Sequence, residues 1–113
     1  MSEQRQYPRK FSSSRVSIFD LGSQEPLGNL GNLSATGLML ITDRELRPGH
    51  IFQLEMTLPG EEEGEEYTFT FGAESLWVQR ISSSEHSWVG LQIIDMAESD
   101  TALIERLTQD WKE

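Results

Sequence analysis

Residues 50–60 read HIFQLEMTLPG. Phe52, Leu54, Met56 and Leu58 fall at every second position, with Gln53, Glu55 and Thr57 between them. A period of two sends the apolar side chains to one face of an extended chain and the polar ones to the other, the pattern of a half-buried β-strand. Turn residues bound it on both sides, Pro48 and Gly49 before it and Pro59 and Gly60 at its end. This is the clearest strand in the chain.

The same alternation recurs outward in both directions. SRVSIFDL, residues 14–21, sets Val16, Ile18 and Asp20 against Phe19 and Leu21 and runs into the turn-like GSQEP. LGNLGNL, residues 27–33, reads as a weaker strand whose glycines imply bulges or close backbone approach. GLMLIT, residues 37–42, is a short buried strand. YTFTFGAESLWVQR, residues 67–80, alternates aromatic and small polar residues, with a bulge expected at Gly72. After the serine-rich turn SSSEH, the run SWVGLQIID, residues 87–95, is the last strand. Leu103, Ile104, Leu107 and Trp111 then recur at helical spacing behind Ser99 or Asp100, either of which can cap a first turn. The block EEEGEE, residues 61–66, cannot be buried and is expected to be a mobile, solvated hairpin loop. Six short strands and one amphipathic helix define a mainly β chain, expected to close into a barrel because closure removes exposed edges while the helix covers an end.

Composition narrows the function. A chain of 113 residues has room for one domain that buries roughly two thirds of its unfolded surface. The absence of cysteine excludes disulfides and thiolate chemistry, and makes the cytoplasm the simplest compartment. The amino terminus is too polar for a signal peptide, and no apolar run approaches the ~20 residues of a membrane helix, so no membrane insertion is expected. A formal net charge of -10 opposes general binding of nucleic acid polymers. No enzyme constellation stands out. His50 and His86 are far apart in sequence and lack a metal-ligand pattern, the acidic block lacks the apolar setting that raises a catalytic carboxyl's pKa, and no phosphate-cradling lysine loop is present. We therefore expect a binding module, without catalytic residues, metal or cofactor.

Against that acidic background, Arg5, Arg9, Lys10 and Arg15 place four of the nine Lys and Arg residues in the first fifteen positions. Pro8 disfavours a helix there, so the segment reads as a turn or an extended arm. Two guanidinium forks on such an arm can each hold a phosphate bidentately or meet the O6 and N7 edge of guanine. By composition alone it reads first as a frayed basic tail. A second stretch, NLSATG, lies between the second and third expected strands. Asn32 offers an amide for a guanine edge, Ser34 a hydroxyl for phosphate or base, and Gly37 a backbone free to turn sharply. In isolation, Asn and Ser in a turn more often bond their own backbone.

Together, Arg5-x-x-x-Arg9 and Asn32-x-Ser34-x-x-Gly37 resemble the paired motifs of the PilZ domain family, whose members bind the bacterial second messenger cyclic di-GMP. The likeness spans nearly the whole chain: PGHIFQLEMTLPG, GAESLWVQR and WVGLQIIDM resemble the family's fourth, fifth and sixth strands, and Gly90 stands where the sixth normally carries glycine. The resemblance implies a six-stranded antiparallel barrel with a C-terminal helix over residues 13–113, preceded by a flexible basic arm over residues 1–12. It also implies that Arg5 and Arg9 grip phosphate and guanine, that Asn32 and Ser34 read a guanine edge or phosphate, and that Gly37 shapes the turn. By the same resemblance, Gln4 stands where the residue's identity in the family bears on whether one or two ligand molecules bind, and Lys10 is a further basic candidate beside the arm. With no effector module fused to it, the chain is expected to act as a cyclic di-GMP receptor or adaptor that signals to an unidentified protein target. The alternative from another class is a PilZ-like interaction module with little or no nucleotide binding, which the arginine arm argues against. A carbohydrate-binding barrel using Trp77 and Trp88 is a third idea, but both tryptophans fall in strand patterns that suit packing.

Overall fold

The computed structural model describes residues 16–60 and 62–109. They form β1 (Ser17–Asp20), β2 (Glu25–Leu33), β3 (Gly37–Thr42), β4 (Ile51–Pro59), β5 (Glu66–Arg80), β6 (Ser87–Asp95) and α1 (Glu98–Gln109). The strands close into an antiparallel barrel in the order β1-β2-β3-β6-β5-β4. Although only four residues long, β1 pairs on both sides and makes the closure: Ile18 faces Gly28 of β2 and Met56 of β4.

Alternation fills the interior as the sequence predicts. Leu54, Met56 and Leu58 of β4 point inward to meet Phe69 and Phe71 of β5, Leu38 and Leu40 of β3, and Val89 and Leu91 of β6. Each such side chain contributes about 1.5–3 kcal/mol on full burial. Strand β3 is less uniform than a fully buried run: Leu38, Leu40 and Thr42 are buried while Met39 and Ile41 are half-covered on the outer face. Thr42 donates its hydroxyl to the Leu27 carbonyl at 2.6 Å and accepts from the Arg44 amide at 2.9 Å, which satisfies a buried polar group. Asp20, also buried, organises the first turn by accepting from the Gly22 amide and the Ser23 hydroxyl, both at 3.0 Å.

Two local expectations are corrected. The helix begins before both expected caps: the Asp100 and Thr101 amides bond back to the Ala97 carbonyl, so Ser99 and Asp100 lie inside the first turn. There Glu98 and Asp100 complement the positive end of the helix dipole, in place of a capping side chain. The acidic turn after β4 is not merely solvated. Glu62 and Glu63 are exposed, but Glu65 accepts from the Glu62 amide and the Tyr67 hydroxyl, while Gly64 takes a φ of 84° to let the chain reverse. Trp111, the last of the expected helical apolar positions, lies outside the described residues.

The helix contributes one completely buried side chain, Ile104, to the barrel core, with Leu103 and Leu107 packed beside it. Ile104→Ala should therefore destabilise the fold by about 2–5 kcal/mol, measured by denaturant unfolding, because the barrel end cannot collapse onto the space left behind. A loss below about 1 kcal/mol would mean that the helix is not part of the core.

Candidate functional site

Strand β2 brings Leu27, Leu30 and Leu33 into the core at a spacing of three, although a regular strand repeats every two residues. Two bulges reconcile the numbers. Against β1, Ile18 pairs with Gly28 and Phe19 with Pro26, which leaves Leu27 extra; against β3, Leu30 pairs with Leu40 and Asn32 with Met39, which leaves Gly31 extra. The second bulge turns both Gly31 and Asn32 outward and returns Leu33 to the core. Asn32 reaches the surface of the barrel for that reason.

Beyond Leu33 the chain reverses tightly into β3. The Ser34 amide donates to the Gly37 carbonyl at 2.9 Å, and the Thr36 amide to the Ser34 hydroxyl at 3.3 Å. The Ser34 hydroxyl lies 3.3 Å from that of Thr36 and 3.4 Å from the Gly37 carbonyl, contacts long enough to be exchanged for a better acceptor. Asn32 accepts from the Leu33 amide through Oδ1 at 2.8 Å; among the described residues its Nδ2 donors have no partner. Gly37 serves differently from the sharp turn expected of it. Its backbone is not left-handed; instead, a Cβ there would lie 2.6 Å from the Leu91 carbonyl oxygen of β6. Close approach of two strands, and not a special φ, requires the glycine. The three motif residues thus gather around one outward-facing cavity of about 180 Å³, lined by Asn32, Leu33, Ser34, Gly37, Leu38 and Met39.

The barrel wall extends this site sideways. Cross-strand pairing sets Asn32, Met39, Gly90 and Trp77 in one row across β2, β3, β6 and β5. Three inter-strand steps of about 4.8 Å span roughly 14 Å. Trp77 points outward because Leu76 is extra opposite β6, a bulge like that at Gly31, and its indole lies against Gly90, where a Cβ would come within 2.3 Å of the ring. Trp77 as a residue remains 42% exposed at the far end of the row. Its ring thus packs on the neighbouring strand as its pattern suggests, with the remainder of the residue open. Trp88 packs as well: its ring reaches across β3 to Gly31, where a Cβ would lie 2.6 Å away, and it is half-covered.

Charge separates this wall from the rest of the molecule. The row from Asn32 to Trp77 and the adjoining row of Asn29, Ile41, Trp88 and Gln79 contain no ionisable side chain. A larger cavity of about 410 Å³ on the β1–β4 side is lined by Val16, Ser17, Phe19, Glu55, Thr57 and Glu66, and two carboxylates there oppose an anion. His50 is exposed beside Phe52, with ring centroids 6.5 Å apart, and His86 meets the Ser84 hydroxyl at 3.2 Å. Among the described residues no cluster of three or more His, Asp or Glu could hold a metal. No helix among them is long and apolar enough to cross a membrane. Arg5 and Arg9, with Gln4 and Lys10, fall outside the described residues.

A model of the PilZ domain matches residues 3–110. The chain belongs to the PilZ domain family. PilZ domains are regulatory receptors and adaptors, in general not enzymes, and they make up a cyclic di-GMP-binding type of module. Among solved structures, the barrel is similar to MotI/DgrA, an inhibitor of motility from Bacillus subtilis, with a TM-score of 0.65 over 83% of this chain. At 22% identity this is a likeness of fold, and the chain corresponds to 44% of that protein's length. No curated protein sequence matches it. Within this PilZ barrel, Gly37→Ala should cost about 1–3 kcal/mol of unfolding free energy, since the atom it meets is backbone and cannot swing away. Gly49→Ala has open space around it but a φ of 89°, so it should cost about 1–2 kcal/mol through backbone strain alone. A loss below about 0.5 kcal/mol for Gly37→Ala in thermal or urea melts would contradict close approach at that position.

Proposed function

We propose that this PilZ domain is a cytoplasmic receptor for cyclic di-GMP that signals by ligand-dependent association with a protein target. The observation that carries the reading is the gathering of Asn32, Ser34 and Gly37 around one cavity whose lining holds no carboxylate, in a chain whose net charge is -10. A dianionic ligand can approach such a cavity, because acids more than about 8 Å away are largely screened at physiological salt. Asn32 would present Nδ2 to the O6 and N7 edge of a guanine, and Ser34 would exchange its long internal contacts for a phosphate oxygen. Trp77 supplies a stacking face for a base at the other end of the row. Arg5 and Arg9 complete the reading as the cations that offset two phosphates, with Lys10 and Gln4 as neighbours able to add contacts.

Calorimetric titration with cyclic di-GMP, GTP and the linear dinucleotide tests this. Saturable heat with the cyclic ligand, at least tenfold tighter than with the other two, is expected; no heat with any of them would leave an interaction module that does not use nucleotide. Arg5→Ala and Arg9→Ala should each weaken binding by about 1.5–3 kcal/mol, the range for hydrogen bonds to charged groups. Thermal stability should hardly change, as both residues precede the first strand. Arg9→Lys should recover only part of the loss, because an ammonium cannot reproduce a planar two-pronged contact.

A further inference from the structure

Among the described residues the large exposed apolar side chains are Ile51, Leu76, Trp77 and Ile94, at 64%, 51%, 42% and 46% exposure. Trp77 belongs to the row already described. The other three surround Glu74. Ile51 pairs with Glu74 directly, Leu76 is two residues along the same strand, and Ile94 is the extra residue of a bulge opposite Gly72 and Ala73. Ala73 and Ser75 are buried, so Glu74 between them points outward, and the adjacent outward acid of β6 is Asp95. Three aliphatic side chains raised around a carboxylate, with a second carboxylate at the rim, present apolar contact and negative charge together. Neither an anionic membrane nor nucleic acid suits that surface, and a second copy of a chain with net charge -10 would repel it.

We infer that the outer face around Ile51, Glu74, Leu76 and Ile94 is a docking surface for a basic amphipathic segment of another protein, one that sets an aliphatic side chain among the three and a Lys or Arg on Glu74. The complementarity is of charge as well as of apolarity: desolvated aliphatics supply affinity, and the carboxylates set orientation and exclude acidic partners. The surface also adjoins the nucleotide wall, because one bulge turns Leu76 and Trp77 outward side by side. It is read without nucleotide, and its test is independent of the cyclic di-GMP reading.

The nucleotide-free protein over all 113 residues, labelled with ¹⁵N, would be titrated with a synthetic amphipathic peptide of leucine and lysine and with a matched peptide carrying glutamate for lysine. The lysine peptide should shift the amides of Ile51, Glu74, Leu76 and Ile94 and the glutamate peptide should not. The double variant Leu76→Ser, Ile94→Ser should weaken the lysine peptide at least tenfold while keeping a dispersed amide spectrum, and Glu74→Lys should weaken it to a similar degree. Shifts centred on the acidic turn at residues 62–66 that ignore the double variant would reduce the effect to bulk charge and overturn the proposal. Absence of binding by the lysine peptide would overturn it as well, as would concentration-dependent self-association of the parent protein that the double variant abolishes, since a second copy would then be the occupant.

Discussion

Three leucines of one strand, Leu27, Leu30 and Leu33, enter the core at a spacing of three, and a regular strand cannot deliver them. Each loses about 1.5–3 kcal/mol if left in water, so the chain bulges twice and keeps all three inside. What the bulges do to the polar residues follows from what they do for the leucines. Without an extra residue at Gly31, Asn32 would face the core and Leu33 the solvent. Hydrophobic burial thus fixes the direction of a side chain that has no part in the core.

The same economy governs the opposite end of the wall. A bulge at Leu76 raises Trp77 onto the outer surface, and Gly90 is small enough for the indole to lie directly on the backbone of β6. Gly31 and Trp88 repeat the arrangement one row away. Glycines on this wall therefore act by absence of a side chain: Gly37 admits the Leu91 carbonyl, Gly90 and Gly31 each admit an aromatic ring. The result is a flat face lined by Asn, Met and Trp on an otherwise acidic molecule, with Glu74 of β5 at its edge and further carboxylates on the β1–β4 side and in the turn that follows β4.

Most of the fold was legible in the sequence because alternation is a direct record of which side of a strand is wet. HIFQLEMTLPG and SWVGLQIID correspond to strands almost residue for residue, but the bulge expected at Gly72 lies on the partner strand, where Ile94 is the extra residue opposite Gly72 and Ala73. The site was legible in part. NLSATG named the turn, but its glycine was read as a conformational need when the demand comes from a strand distant in sequence, which no local pattern records. Trp77 was hidden for a related reason: with apolar residues at 76, 77 and 78 the parity of the strand is ambiguous, and pairing across to Gly90 resolves it. The helix start was misplaced because first-turn acids and a true cap look alike in sequence.

In the proposed reading, the bulged, uncharged row from Asn32 to Trp77, and not the larger acidic cavity, receives the cyclic dinucleotide. Amide and indole chemical-shift mapping on addition of cyclic di-GMP tests it most directly. Shifts should concentrate on Gly31, Asn32, Ser34, Gly37, Met39 and Gly90 and on the Trp77 indole N–H, while Phe19, Glu55 and Thr57 stay unmoved. Shifts centred on Phe19, Glu55 and Thr57 at saturating ligand, with the Trp77 indole unchanged, would contradict it.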